Sequence, residues 1–196
     1  MTDTAVQKTA ENGRESAIVR ALDKRSIVLV GMMGAGKSSI GRRLAARLGI
    51  PFVDADSEIE SAAGMTIPEI FEKHGEPYFR AGEARVIARL LDNGPQVLAT
   101  GGGSVMDQRT RDLIRIKGIS VWLKADLDVL MKRTKRRTDR PLAEKIKDLL
   151  PLREPIYSQS DIVVRSRDEP HDTIVDEIIT EILKHLALEA GGEAKP

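Results

Sequence analysis

One segment of the chain combines residue types and spacing suited to binding phosphate: residues 31–38, GMMGAGKS. It fits the pattern G-x-x-x-x-G-K-[ST] and lies between an apolar run and a helical pattern. Glycines let backbone N–H groups close around phosphate oxygens, and the N-terminus of the next helix adds partial positive charge. The segment predicts a phosphate-binding loop in which Lys37 reaches the β- and γ-phosphates and Ser38 binds Mg²⁺. The alternative is a glycine-rich turn without a ligand.

Two aspartates, Asp54 and Asp56, follow the apolar pair Phe52-Val53. Proteins with such a loop usually place an acid at the end of another strand to hold the metal, but the apolar run 97–100 ends in three glycines. If the strand continues through both aspartates, their carboxylates point the same way. One would bind metal-bound water and the other a substrate hydroxyl. The alternative is that Asp56 or Ser57 only caps the following helix.

The three consecutive glycines Gly101, Gly102 and Gly103 are a further candidate contact. They follow a predicted strand and therefore lie at the carboxyl edge of the sheet, where α/β proteins bind ligands. Because glycine has no side chain, the backbone can approach a ligand closely there. The alternative is a tight strand-to-helix turn, which needs one such glycine but seldom three.

A dense basic stretch occupies residues 132–140 and is followed by Pro141. Its basic residues are Lys132, Arg133, Lys135, Arg136, Arg137 and Arg140. A mobile lid over the nucleotide phosphates, a nucleic-acid contact and a solvated face are the possible interpretations. The chain has only two tyrosines, three phenylalanines and one tryptophan, so stacking platforms for bases are scarce and the lid is favoured. The three histidines lack metal-ligand spacing and receive no role.

Short apolar runs that alternate with helical patterns must position these residues. The runs are residues 27–30, 52–53, 97–99, 119–123 and 161–164. They are mostly β-branched or aromatic and do not alternate strictly, which is typical of strands buried on both faces. Helical patterns fall at residues 37–48, 56–63, 67–73, 76–91, 108–116, 127–134 and 173–188. The sequence therefore predicts an α/β fold with about five parallel strands flanked by helices.

Length and composition limit the class of protein. With 196 residues, of which 41% are hydrophobic, the chain is suited to one domain with a sizeable core. A net charge of +1 excludes a polycation that coats nucleic acid or anionic lipid. No apolar run approaches the roughly 18 residues of a membrane span. The absence of cysteine excludes disulfides and thiolate metal sites and suits a cytoplasmic protein.

The chain divides into three expected parts. Residues 1–24 are polar and predict an extension that is largely disordered or contains one short helix. Residues 25–188 form the domain, and residues 189–196 form a disordered tail. We expect a monomer that binds neither nucleic acid nor membrane.

Six short motifs together resemble those of shikimate kinases. They are GMMGAGKSS, FVDAD, PYFRAGE, ATGGGSV, the RPL at Arg140 and the REPIY at Arg153. They occur in the family's order from about residue 25 to residue 186, whereas other small kinases with this loop share only the first. The resemblance implies a nucleoside-monophosphate-kinase-like fold with a five-stranded parallel sheet ordered 2-3-1-4-5. It also implies transfer of the γ-phosphate of ATP to the 3-hydroxyl of shikimate, on the route to chorismate and the aromatic amino acids.

On the nucleotide side, the resemblance assigns roles to individual residues. Those that hold the ATP phosphates are Gly34, Ala35, Gly36, Lys37, Ser38 and Ser39. Ser38 binds one Mg²⁺ ion directly, and Asp54 assists through water. Arg133 and Pro170 bracket adenine, and Arg140 is the lid arginine that faces the transferred phosphate.

On the acceptor side, the resemblance places Asp56 at the shikimate hydroxyls. Arg80 and Arg153 match the arginines that grip the carboxylate, as suits bidentate guanidinium recognition. Gly102, with Gly101 and Gly103, lies against the ring. The expected catalytic residues are Lys37, Asp56 and Arg140. Without the resemblance, Arg80 would be interpreted as a surface arginine near Glu76 or Glu83.

One departure from the family concerns the lid, about residues 134–152, because its segment between Arg140 and Arg153 is shorter than usual.

Three other functions are alternatives to a shikimate kinase. A same-fold kinase for another polyol acid such as gluconate is disfavoured by the Arg80 and Arg153 motifs. A silent ATP-binding protein is disfavoured by the intact loop and aspartates. Nucleic-acid binding through residues 132–140 would weaken steeply with salt.

Overall fold

The computed structural model of the chain describes residues 3–134 and 145–191, with side chains from residue 12 onward. These residues form a sheet of five strands. They are β1 (Ser26–Val30), β2 (Phe52–Asp54), β3 (Val97–Ala99), β4 (Gly118–Lys124) and β5 (Ile162–Arg165). The order is β2-β3-β1-β4-β5, and every neighbouring pair is parallel. The predicted fold class and strand order are confirmed.

Strand β1 is the centre of the sheet. Leu29 pairs with Ala99 of β3 on one side and with Val121 of β4 on the other. All five residues of β1 are buried, which explains why the run is apolar without alternation. Because the strands are parallel, the carboxyl ends of β1, β2 and β3 meet at one edge. That edge carries the phosphate-binding loop, the two aspartates and the three glycines.

Eight helices lie within the described residues. They are α1 (Asp3–Leu22), α2 (Lys37–Leu48), α3 (Ala55–Ala63), α4 (Ile67–Leu91), α5 (Gln108–Lys117), α6 (Leu127–Thr134), α7 (Ile146–Tyr157) and α8 (His171–Ala190). A 3-10 turn spans Ser104–Met106. Helix α4 begins with a capping box between Thr66 and Glu69 and is broken at Gly75, where φ is 78° and ψ is 174°. This break is the boundary between the two helices that the sequence predicts there.

The helices cover both faces of the sheet. Helices α1, α2 and α8 contact one another, and α4 contacts α5, which in turn contacts β4. Right-handed crossovers place α2 on one face and α4 and α5 on the other. The main core therefore lies between the central strands and these two helical layers. No helix in the described ranges combines the length and the apolar character needed to cross a membrane.

Helix α1 occupies most of the N-terminal segment. The sequence predicts an extension there that is largely disordered or contains one short helix, and the structure describes one helix over residues 3–22. Ile18 and Leu22 lie one turn apart and are completely buried. Glu15 forms an ion pair with Arg47 of α2, and Arg14 donates a hydrogen bond to Thr180 of α8. These contacts join the C-terminal half of α1 to α2 and α8.

The C-terminal part of the predicted lid contains a helix that the sequence pattern does not indicate. Helix α7 includes Pro151 and Pro155 within its bounds, and prolines there normally argue against a helix. The remainder of the predicted lid, residues 135–144, lies outside the described residues, so lid mobility stays a prediction. Helix α8 extends through Ala190, while residues 192–196 of the predicted tail also lie outside.

Candidate active site

The phosphate-binding loop connects the end of β1 to the start of α2, as predicted. Gly31, Gly34 and Gly36 have φ values of 131°, 85° and 93°, a region that residues with side chains rarely adopt. A Cβ atom on Gly34 would also lie 3.1 Å from the Leu130 carbonyl oxygen. The loop therefore requires glycine at these positions for its shape. Its end at Gly36 directs the N-terminus of α2 toward the cavity described below.

Lys37 and Ser38 occupy the first turn of α2. Lys37 is 8% exposed, and its Nζ donates hydrogen bonds to the carbonyl oxygens of Gly31 at 2.7 Å and Met32 at 3.0 Å. The ammonium group is thus held above the loop. The Ser38 hydroxyl donates a 2.7 Å hydrogen bond to Asp54 Oδ2. The two groups predicted to act on the metal are therefore in direct contact.

The two aspartates occupy different positions at the start of α3. Asp54 is the N-cap of α3, and its Oδ1 accepts a hydrogen bond from the Asp56 backbone N–H at 3.1 Å. The cap is therefore Asp54, whereas the capping alternative in the sequence concerned Asp56 or Ser57. Asp56 lies in the first turn of α3 with its carboxylate beside Gly101: a Cβ there would be 2.9 Å from Asp56 Oδ1. The Asp56 carboxylate is consequently not needed as a cap.

The three glycines make room for charged side chains. A Cβ atom on Gly103 would lie 2.6 Å from Arg80 Nη2, and one on Gly101 would lie 3.0 Å from Glu83 Oε1. On Gly102 it would lie 3.4 Å from Arg153 Nη1. The run lets the backbone lie directly against Asp56 and the arginines, and its contact with a ligand stays a prediction.

Arg80 is oriented by a carboxylate network on α4. Its Nη1 pairs with Glu83 at 2.6 Å, and its Nη2 pairs with Glu76 at 3.1 Å. Burial lowers the pKa of the Arg80 guanidinium, but Glu83 and Glu76 outweigh burial and raise it, so the group stays charged. Glu83 is 3% exposed and also accepts a hydrogen bond from the Ser104 hydroxyl. Arg80 therefore has the acidic neighbours expected of a surface arginine, and it also lines a cavity.

Arg153, on α7, is a nearly buried cation. It is 7% exposed, its Nη1 lies 3.8 Å from Met32 Sδ, and it interacts with Tyr157. It forms an ion pair with none of the acidic residues that the structure describes. A buried charge is costly unless an opposite charge compensates it. The position of Arg153 therefore favours an anionic ligand.

The described residues line two cavities that share one wall. The first, of about 250 Å³, includes the phosphate-binding loop, Arg133 and His171. The second, of about 460 Å³, includes Arg80 and Arg153. The residues common to both linings are Ser38, Asp54, Asp56, Gly101 and Gly102. A phosphate donor in the first cavity and an acceptor in the second would meet at this wall.

Comparison with known proteins identifies the family. The shikimate kinase family model matches residues 33–184. The chain belongs to the shikimate kinase family. It is 60% identical over 185 residues to the shikimate kinase of Bradyrhizobium diazoefficiens, covering 91% of this chain and 89% of the relative. The structure of shikimate kinase from Acinetobacter baumannii in complex with shikimate matches with a TM-score of 0.79 and 38% identity, covering 82% of this chain and 93% of the other.

A gluconokinase structure from Sinorhizobium meliloti shares the fold alone. It matches with a TM-score of 0.58 at 22% identity, covering 87% of this chain and 98% of the other. This likeness shows that the architecture serves more than one small-molecule kinase.

Arg133 and Pro170, the two residues predicted to bracket adenine, lie near the first cavity. Arg133 donates hydrogen bonds to Ser166 Oγ at 3.0 Å and to the Arg167 carbonyl at 2.6 Å, and it lines the first cavity. Pro170 is the residue before α8, and its neighbour His171 lines the cavity. Burial, then Arg43 and Arg133, lower the pKa of His171, which favours a neutral imidazole. Arg140 lies outside the described residues.

Three further residues belong to the candidate site, and no role in it was predicted for them from the sequence. Glu83 holds Arg80, His171 lines the nucleotide-side cavity, and Tyr157 donates a hydrogen bond to the Gly102 carbonyl. Glu83 ends the PYFRAGE motif and was considered only as a neighbour of a surface arginine, although its position three residues after Arg80 brings the two side chains together on a helix. No motif pointed to His171. Tyr157 ends the REPIY motif, which contributed only its arginine.

As a family of ATP-dependent kinases, shikimate kinases imply a divalent metal ion. Ser38 and Asp54 offer two hard oxygen ligands 2.7 Å apart, as such ions prefer. Within the described part of the chain, no cluster of three or more His, Cys, Asp or Glu side chains could hold a metal ion. The residues therefore fit an ion that takes its other ligands from phosphate oxygens and water.

Proposed function

We propose that this chain transfers the γ-phosphate of ATP to the 3-hydroxyl of shikimate, producing shikimate 3-phosphate and ADP. The observation that carries this proposal is the wall shared by the two cavities. On one side lies a glycine loop with Lys37, and on the other lie Arg80 and the buried Arg153. The acceptor is therefore an anion with a hydroxyl group, which describes a hydroxy acid.

On the acceptor side, we assign the carboxylate of shikimate to Arg80 and Arg153. Arg80 is held by Glu76 and Glu83, whereas Arg153 lacks an ionic partner among the described residues. The ring then lies along Gly101, Gly102 and Gly103, whose missing side chains open the second cavity. The hydroxyl side of the ring is directed toward Asp56 at the shared wall.

On the nucleotide side, we assign the ATP phosphates to the loop residues Gly34, Ala35, Gly36, Lys37, Ser38 and Ser39. Arg133 and Pro170 are assigned to adenine. We propose Mg²⁺ as the divalent ion; Ser38 would hold it directly and Asp54 through water, and it would neutralise phosphate charge. Arg140 is assigned to the transferred phosphate as part of a lid.

The transfer then follows from positioning and charge. The 3-hydroxyl oxygen forms a bond to the γ-phosphorus while the bond from that phosphorus to the β,γ-bridging oxygen breaks and ADP leaves. Asp56 orients the hydroxyl and accepts its proton. Lys37 stabilises the charge on the β- and γ-phosphates from a fixed position, so little reorganisation is required.

A substrate panel tests the proposal. The purified chain is offered ATP and Mg²⁺ with shikimate, quinate, gluconate or glycerate, and ADP release is measured. We expect turnover with shikimate far above that with the other acids. Preferential phosphorylation of gluconate, or ATP turnover that no acid stimulates, would contradict it. Light scattering and subcellular fractionation separately test the predicted monomer and cytoplasmic location.

A further inference from the structure

The hydroxyl of Tyr157 joins three parts of the site. It donates a short hydrogen bond to the carbonyl oxygen of Gly102 and lies 3.8 Å from Met32 Sδ in the phosphate-binding loop. The same sulfur lies 3.8 Å from Arg153 Nη1. Tyr157 follows Arg153 by one helical turn on α7, so the two side chains are neighbours on one face of the helix.

The Tyr157 side chain is buried, and its hydroxyl retains its proton. Tyr157 is 1% exposed, and its ring lies 5.8 Å from that of Trp122 between ring centres. Burial raises the pKa of the Tyr157 phenol to about 12. The hydroxyl is therefore a hydrogen-bond donor throughout the range in which an enzyme of this kind operates.

Helix α7 depends on side-chain contacts for its position more than an ordinary helix does. Pro151 and Pro155 lie on either side of Arg153 within the helix. Each lacks a backbone N–H, so two helical hydrogen bonds around Arg153 cannot form. The orientation of the arginine then relies on side-chain contacts. The Tyr157 hydroxyl provides such a contact, because its hydrogen bond to the Gly102 carbonyl joins α7 to the glycine run beside Arg153.

We propose that Tyr157 is a positioning residue for the acceptor: its hydroxyl fixes the Arg153 guanidinium relative to the Gly102 backbone. The proposal rests on the function proposed above, because the distance that it fixes is that between the carboxylate clamp and the ring surface. Loss of the hydroxyl then affects recognition of the substrate carboxylate more than any other step. Tyr157 does not itself contact the substrate in this account.

The test compares Tyr157→Phe with the wild-type enzyme against two ligands. Affinities for shikimate and for its methyl ester, which lacks the negative charge, are measured by calorimetry alongside Mg·ATP. We expect Tyr157→Phe to weaken shikimate binding about three- to tenfold, the usual effect of one hydrogen bond. Binding of the ester and of Mg·ATP changes less than about twofold. The preference for acid over ester therefore shrinks.

The matched control is Tyr78→Phe, which alters the other tyrosine of the chain. Tyr78 is 50% exposed on α4, and this variant retains wild-type affinities. Equal weakening of acid and ester by Tyr157→Phe would show a packing role and overturn the proposal. If wild-type enzyme itself does not distinguish acid from ester, the arginine clamp fails instead, so the two failures are separable.

A measurement on wild-type enzyme keeps the proposal testable if Tyr157→Phe is unstable. Protein labelled with carbon-13 at the tyrosine ring Cζ gives two signals, which Tyr78→Phe assigns. We expect saturating shikimate, but not the methyl ester, to shift the Tyr157 signal while the Tyr78 signal stays in place. A Tyr157 signal unmoved by shikimate, or moved equally by both ligands, would overturn the proposal.

Discussion

The Ser38 hydroxyl donates a 2.7 Å hydrogen bond to Asp54 Oδ2, and this contact joins the phosphate-binding loop to the end of β2. The other oxygen of Asp54 accepts the Asp56 backbone N–H. One carboxylate therefore connects the proposed metal position with the residue proposed to handle the acceptor hydroxyl. The two aspartates are close in the chain, but we propose different tasks for them.

Replacing each aspartate by asparagine separates these tasks. Asp54→Asn removes a metal-directed charge yet retains a good N-cap for α3, so we expect a higher Mg²⁺ requirement with little loss of stability. Asp56→Asn removes the proton acceptor, and kcat falls by about 10² or more. Activity titrated against Mg²⁺ and against shikimate distinguishes the two. Identical defects would mean that the roles are divided wrongly.

Lys37→Ala removes the ammonium group that we place at the transferred phosphate. Because phosphoryl transfer relies on electrostatic stabilisation, we expect kcat to fall by about 10³ or more. We expect the fold to persist, because the Lys37 side chain donates hydrogen bonds to carbonyl oxygens of a loop whose shape its glycines already set, and circular dichroism checks this. Lys184→Ala, at an exposed position on α8, is the control. Near-normal kcat in Lys37→Ala contradicts the assignment of the loop.

Conservative replacement of the arginines tests the carboxylate clamp. Arg80→Lys and Arg153→Lys keep the charge but lose the planar fork, so shikimate affinity falls about tenfold or more, while Mg·ATP affinity stays almost unchanged. Calorimetry measures both ligands. Arg89→Lys, an exposed arginine on α4 paired with Glu58, retains full affinity. Equal losses for shikimate and nucleotide in the clamp variants would indicate a structural role.

Gly103→Ala tests whether the glycine run makes room for the clamp. The new Cβ would lie 2.6 Å from Arg80 Nη2, so the guanidinium must move away from Glu83 and Glu76. We expect weaker shikimate binding with unchanged Mg·ATP binding. Gly82→Ala on α4 is a matched control, because no atom lies within 4 Å of its Cβ and alanine favours a helix. Unaltered shikimate affinity in Gly103→Ala would disprove the steric argument.

The Tyr157 phenol makes stability depend on pH at the alkaline end. Its pKa is about 12 in the folded chain and about 10 in the unfolded chain. Folding favours the neutral phenol, so its stabilisation is complete below about pH 10 and is lost as pH rises through about 12. Between these values, urea denaturation should show wild type losing up to about 2 kcal/mol more than Tyr157→Phe. Parallel curves for the two proteins would contradict this.

Much of the fold and site could be predicted because the signals are local. The phosphate-binding loop, Asp54 and Asp56 each lie directly after a short apolar run, so a parallel sheet brings them together. The resemblance to the family supplied the strand order and the arginines. The structure confirms the order, and it places Arg80 and Arg153 in one cavity.

The rest depends on contacts between distant parts of the chain. Tyr157 and Gly102 are 55 residues apart, so no local pattern reveals their hydrogen bond. Helix α7 was not predicted, because it contains Pro151 and Pro155 and proline usually breaks a helix. The apolar face of α1 at Ile18 and Leu22 is short, so the sequence alone does not show that it is buried. Its burial depends on contacts with α2 and α8. Arg140 stays a prediction.

The position of the phosphoryl group on the product shows directly whether the chain phosphorylates the 3-hydroxyl of shikimate. Shikimate is incubated with the chain, ATP and Mg²⁺, and phosphorus–proton correlation NMR identifies the carbon that bears the phosphate. We expect a single product in which the phosphorus couples to the proton on C3. Phosphate on another hydroxyl, a mixture of positions, or no phosphorylated shikimate would contradict the placement of the acceptor between Asp56 and the two arginines.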